Sequence, residues 1–146
     1  MNAPAKLAEV TLQTVEFTLD GQTLHAYEGE TIFKAAQRHG VDIPHLCYKD
    51  GYRADGNCRA CVVEVKGERT LAPSCCRNAT AGMEVQANSE RALKSQKMVL
   101  EMLLSDMPDQ GYEWNEHDES LQHGELSDWA SRMGVTVRPE LKALRR

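Results

Sequence analysis

"CYKDGYRADGNCRAC", residues 47–61, sets three of the chain's five cysteines within fifteen positions and surrounds them with glycine, asparagine and arginine instead of apolar side chains. The stretch has no sustained periodicity from residue 42 to 60. A loop that long inside a small domain is functional or disordered, and sulfurs at this density point to order. Immediately after it, "CVVEVKG" (61–67) reads as a strand from Cys61 to Lys66, so the loop is anchored in a sheet.

With Cys75 the spacing becomes C-x10-C-x2-C-x13-C over Cys47, Cys58, Cys61 and Cys75. Four thiolates suit tetrahedral zinc or an iron–sulfur cluster, both of which take soft sulfur ligands. A zinc ribbon brings two facing C-x2-C knuckles, whereas this chain has one such pair and a long first loop, which ranks zinc second. A binuclear cluster is wider and negatively charged, so its loop needs backbone N–H groups aimed at sulfur. Gly51, Gly56 and Ala60 permit close backbone approach, Asn57 tolerates the left-handed backbone of an anion nest, and the Arg59 cation adds a favourable field. Cys58 and Cys61 alone resemble a thioredoxin-type pair, but that motif opens a helix and here a strand follows.

Composition narrows the functional classes. The net charge is −5 with interleaved signs and 5% aromatic residues, which leaves no electrostatic footprint for nucleic acid or an anionic membrane. No run approaches the ~20 apolar residues of a membrane span, and "MNAPAKLAEVTLQT" lacks the apolar core of a secretory signal. A cytoplasmic location is expected. In a reducing compartment, an odd number of cysteines with Cys75 and Cys76 adjacent argues against a disulfide framework and for metal or redox chemistry.

Outward from the cysteines, residues 14–27 alternate about Asp20-Gly21, the pattern of a tight hairpin. "EGETIFKAAQRHG" places Ile32, Ala35 and Ala36 on one helical face, with Thr31 as N-cap and a left-handed stop at Gly40. "RTLAPSC" and "MEVQA" (83–87) add strands. From Ser89, a capped helix of about four turns carries Leu93, Met98, Leu100, Met102, Leu103 and Leu104, read as a core face, and ends near Pro108. "ELSDWASRMG" forms one more helix before a basic, proline-containing end.

The run "FTLDGQTLHAYEGETIFKAAQRHGVDIPHLCYKDGYRADGNCRACVVEVKGERTLAPSC" resembles the amino-terminal 2Fe-2S module shared by three protein groups. These are the large iron–sulfur subunit of respiratory complex I, the diaphorase subunits of NAD-reducing hydrogenases, and the α subunits of soluble NAD-dependent formate dehydrogenases. The resemblance spans about residues 14–106 and rests on "EGETIFKAA", "IPHLC", "GNCRACVVEV" and "APSC" in order. It implies an α+β, plant-ferredoxin-like β-grasp domain over residues 14–88, a flexible stretch 1–13, and a helical segment over 89–146. It also implies that Cys47 and Cys58 hold one iron and Cys61 and Cys75 the other. "APSC" and the thirteen-residue gap favour Cys75 over Cys76, which is expected to be a small half-buried thiol.

In these relatives a His-Cys-Cys-Cys segment binding a 4Fe-4S cluster follows the long helix. Working back from "ELSDWASRMG", its positions fall at about Met107, Gly111, Trp114 and Gly124, and no cysteine occurs after Cys76. The segment is therefore expected to keep its scaffold without a 4Fe-4S cluster, which favours the formate dehydrogenase type. There, electrons pass from formate at a molybdenum- or tungsten-pterin centre through iron–sulfur clusters to a flavin that reduces NAD. Partners implied are those modules and subunits, with no nucleic acid and no membrane span, and the basic ending suggests a fragment of a larger subunit. A metal-stabilised docking module and a zinc-stabilised regulatory domain are the readings from other classes. His45 is expected to pack the loop, since a Rieske-type site needs paired histidines. His117 and His123 are expected in solvent, and Trp114 and Trp129 against the core.

Overall fold

The computed structural model describes residues 11–107 and 124–144. Residues 1–10, Pro108, Gly111, Trp114, His117 and His123 lie outside the described residues, and with them the expectations attached to them.

Strand β1 (Thr14–Leu19) and strand β2 (Gln22–Tyr27) form the hairpin, in register from Thr14↔Tyr27 to Leu19↔Gln22. Asp20 and Gly21 turn it with φ of 50° and 82°, the double positive geometry of a two-residue turn. The Asp20 carboxylate also accepts the N–H of Ala87 at 2.7 Å and of Asn88 at 3.2 Å, so the turn grips the chain leaving the last strand. Helix α1 (Ile32–Arg38) follows, its first turn capped by the Thr31 hydroxyl, which accepts from the Lys34 N–H. Gly40 takes the expected left-handed backbone, at φ 77°.

After the cysteine loop come strands β3 (Val62–Val65), β4 (Ala72–Pro73) and β5 (Glu84–Gln86). The sheet order is β2-β1-β5-β3-β4, with β5 parallel to β1 and the other pairs antiparallel. A hairpin, a helix packed against it and a returning strand beside β1 make the expected β-grasp. Phe17, Leu19, Ile32, Ile43, Val63 and Val85 are each at most 1% exposed and form the centre of its core. Burial of each such side chain contributes roughly 1.5–3 kcal/mol. Strand β3 begins at Val62, one residue later than the pattern implies, because Cys61 belongs to the turn that presents its sulfur.

Helix α2 (Glu90–Ser105) is capped by Ser89 and lies across β3, and helix α3 (Glu125–Met133) packs on α2 with the short α4 (Pro139–Lys142) beyond. Only part of the leucine–methionine stripe is its core face: Leu93 and Leu104 are half-buried and Leu100 is buried. Ala92, Gln96 and Leu100 are buried, while Met98, Met102 and Leu103 are exposed. At about 100° per residue, positions 92, 96 and 100 share a face, position 98 stands nearly opposite and position 102 well to one side.

Candidate metal centre

The turn that carries Cys75 is held by the start of α1. The Ile32 N–H donates to the Arg77 carbonyl at 2.8 Å and the Phe33 N–H to the Ser74 carbonyl at 3.0 Å, so donors the helix cannot use internally fasten the turn. Ser74 is fully buried. Its hydroxyl donates to the Cys61 carbonyl at 2.7 Å and its N–H to the same oxygen at 3.2 Å, joining the backbones of Cys61 and Cys75.

The loop from 42 to 60 has no regular structure but is pinned from inside. The His45 ring nitrogen Nδ1 bonds the Ile43 carbonyl at 2.9 Å, and the ring stands 4.8 Å from Phe33 and 5.7 Å from Trp129 of α3. Tyr48 packs 4.6 Å from Phe33 and donates its hydroxyl to Asp50. His45 thus packs the loop and Trp129 the core, each in the place the residue pattern assigns. A surface depression of about 380 Å³, lined by Tyr48, Tyr52, Ala54 and Cys75 among others, opens beside the turn.

The structure sets the Cys58 sulfur beside Cys47, and the Cys61 and Cys76 sulfurs beside Cys75. Burial alone would push the Cys47 thiol up. The Cys58 N–H and thiol, the Asn57 N–H and the Cys47 N–H all bond its sulfur, and together they hold it below the ordinary cysteine range. Cys58 in turn accepts from the Ala60 N–H at 3.5 Å. The other pair is dry. Cys61 and Cys75 are each 1% exposed, and burial, followed by the charge and hydrogen bond of Cys61, pushes the Cys75 thiol far up. Among the described residues no three His, Cys, Asp or Glu side chains converge as the donors of a single ion would. Four soft sulfur donors, with amide N–H groups on the wetter ones, suit an iron–sulfur cluster.

Two expectations change. The left-handed residues of the nest are Gly56, at φ 66°, and Arg59, at φ 60°, not Asn57. A left-handed Arg59 turns the next N–H, that of Ala60, back onto Cys58, while Asn57 contributes its own N–H to Cys47 without positive φ. Cys76 is exposed instead of half-buried, because the turn after Pro73 points it outward. Its sulfur lies 3.6 Å from that of Cys75 and 3.7 Å from the Ala54 carbonyl. Gly56, at φ 66°, lies against it: a Cβ there would meet the Cys76 sulfur at 3.0 Å. Ser74 is the residue that the pattern does not single out. It stands in "APSC", but nothing in a short motif says that its hydroxyl turns inward.

Residues 12–90 match the family described as the 2Fe-2S iron-sulfur cluster binding domain. A NADP-reducing hydrogenase subunit of Solidesulfovibrio fructosivorans is 45% identical over 102 residues, 66% of this chain and 17% of the relative. The 78 kDa subunit of mitochondrial NADH-ubiquinone oxidoreductase from Candida albicans is 39% identical over 119 residues, 77% of this chain and 16% of the relative. Among solved structures, a chain of an NAD+-reducing NiFe hydrogenase in the H2-reduced state superposes with a TM-score of 0.71 at 31% identity, covering 84% of this chain and 50% of that one. The chain therefore spans about one sixth of the length of these curated relatives.

Proposed function

Since the chain belongs to the 2Fe-2S iron-sulfur cluster binding domain family and carries one such cluster, we propose that it relays single electrons within a cytoplasmic NAD-linked oxidoreductase, with Cys47, Cys58, Cys61 and Cys75 as the cluster ligands. The observation that carries this reading is the match of residues 12–90 to the cluster-binding family together with the joining of the Cys61 and Cys75 backbones by Ser74 and the Ala60 N–H on the Cys58 sulfur. The bound cluster supplies a centre that takes up and releases one electron, at a low potential. This chain's residues supply the rest. The N–H groups of Asn57, Cys58 and Ala60 stabilise added negative charge, while the buried Cys61 and Cys75 anchor the site in the core. None of these groups offers a substrate site, so bond-making chemistry belongs to other modules of the parent complex: further iron–sulfur, molybdenum- or tungsten-pterin, and flavin modules.

The parent type we infer is the α subunit of a formate dehydrogenase. It is supported by the segment where relatives carry a second ligand set, which holds no cysteine after Cys76. A second reading is an iron–sulfur subunit of the hydrogenase or complex I type, favoured by the names of the relatives above. The two separate by donor. In the assembled complex under anaerobic conditions, formate should bleach the cluster on the first reading. Reduction by H2 or by NADH with no response to formate supports the second.

A further inference from the structure

We propose that Ser74 and Gln96 are positioning residues for the cluster: they hold the two consecutive carbonyl oxygens of Cys61 and Val62, so that helix α2 helps set the aim of the Cys61 sulfur. This rests on the ligand reading above. The Cys61 oxygen accepts the Ser74 hydroxyl at 2.7 Å and its N–H at 3.2 Å. The next oxygen, that of Val62, accepts Nε2 of Gln96 at 2.8 Å, and the same amide reaches the Ala87 oxygen at 3.1 Å.

The need for Gln96 follows from register. The β3–β5 ladder has Glu64↔Gln86 as its last pair, so Val62 and Ala87 stand past its end, and Val62's partner on the other side, Pro73, has no N–H; the buried Val62 oxygen and the part-buried Ala87 oxygen take Gln96 as donor instead. One side-chain amide serves both. Gln96 is 1% exposed and sits on the buried face of α2 between Ala92 and Leu100, where an apolar side chain would carry no desolvation cost. It bears that cost in plain form, because its Oε1 is buried with no hydrogen-bond partner among the described residues. Ser74 holds the peptide that leaves Cys61 and a glutamine kept at position 96 holds the next one, that of Val62, so the two together fix the backbone from which the Cys61 Cβ–Sγ bond points.

The test compares the full-length chain, prepared anaerobically, with S74A, Q96M and the control L100A, which opens a hole on the same face of α2 without touching either carbonyl. S74A and Q96M should bind two irons and two sulfides yet show a shifted reduction midpoint and an altered paramagnetic spectrum when reduced. They should also lose the cluster to a chelator roughly tenfold faster than wild type. L100A should melt at least as early as either while keeping the wild-type spectrum and midpoint. Wild-type spectra and midpoints in both S74A and Q96M, or an equal shift in L100A, would overturn the proposal. S74A removes one oxygen atom and decides the Ser74 half; if Q96M does not fold, Q96L takes its place, and a wild-type spectrum and midpoint there would overturn the Gln96 half. A wild-type chain that binds no cluster fails at the earlier step, the ligand reading, and is recognised by its iron content alone.

Discussion

At the scale of single residues, the two sulfur pairs have different surroundings. Cys47 and Cys58 sit half in solvent under converging N–H groups, and Cys61 and Cys75 sit in the core. Serine at any of the four should leave a protein without visible absorption, whereas Cys76→Ser should keep its colour. Absorption spectra and iron content of the five variants check this, and bleaching by Cys76→Ser with colour retained in Cys75→Ser would reverse the roles of the neighbours. Gly56→Ala should cost about 1–2 kcal/mol, because alanine resists positive φ. Denaturant unfolding of G56A, C76A and the double variant separates the two causes. Removing the Cys76 sulfur relieves the 3.0 Å contact and leaves the backbone strain, so partial rescue is expected. Much of the site is legible at this scale, since ligand chemistry resides in residue type and spacing. The direction of an N–H group or a serine hydroxyl is not legible, because it is decided by segments distant in the chain. Arg59 takes a backbone that arginine alone would not suggest, and Ser74 turns inward only because α1 holds its turn.

Among the elements, α1 is tied to the hairpin by Glu30 and Arg38. The carboxylate accepts from the Arg38 guanidinium at 2.8 and 3.2 Å and from the Tyr27 N–H at 2.9 Å, and Arg38 also reaches the His25 carbonyl. Burial works against the charge on Glu30. The Arg38 and Tyr27 hydrogen bonds outweigh it and hold the carboxyl below the usual glutamate range. The unfolded chain therefore binds the proton first as pH falls. The stabilisation is complete above about pH 4.3 and is lost as pH drops through the lower folded value. Glu30→Gln should cost roughly 1–2 kcal/mol at pH 7 and show a flatter loss of stability between neutrality and pH 3, measured by thermal unfolding across pH. A wild-type pH profile in that variant would contradict the assignment. The caps at Thr31 and Ser89 were readable because a hydroxyl before a helical pattern has a local job. The face of α2 was readable only in part. Counting apolar residues from 93 to 104 finds a helix but not its phase, and the buried glutamine that marks the true phase looks polar on paper.

For the molecule as a whole, the β-grasp sheet and α1 enclose the core while α2 and α3 close one side, and Trp129 reaches from α3 to the cysteine loop. Trp129 is 7% exposed, with the Arg132 guanidinium over its ring at 4.0 Å. Trp129→Ala should cost about 3 kcal/mol and loosen α3 before the sheet. Hydrogen exchange would show lost protection across 125–133 with β1, β3 and β5 retained, and uniform loss would refute a separable layer. The exposed pairs Arg132–Asp42 and Lys49–Glu125 should add little, so 0.5 M salt should leave this pattern unchanged. The hairpin, helix and strand order of the fold were legible from alternation and turn chemistry, whereas the seat of α3 on the loop is a long-range packing fact with no local signature.

The most direct measurement is the iron and acid-labile sulfide content of the full-length chain prepared anaerobically. Two of each per chain are expected, and zinc without sulfide would contradict the claim that Cys47, Cys58, Cys61 and Cys75 enclose a bridged pair of irons.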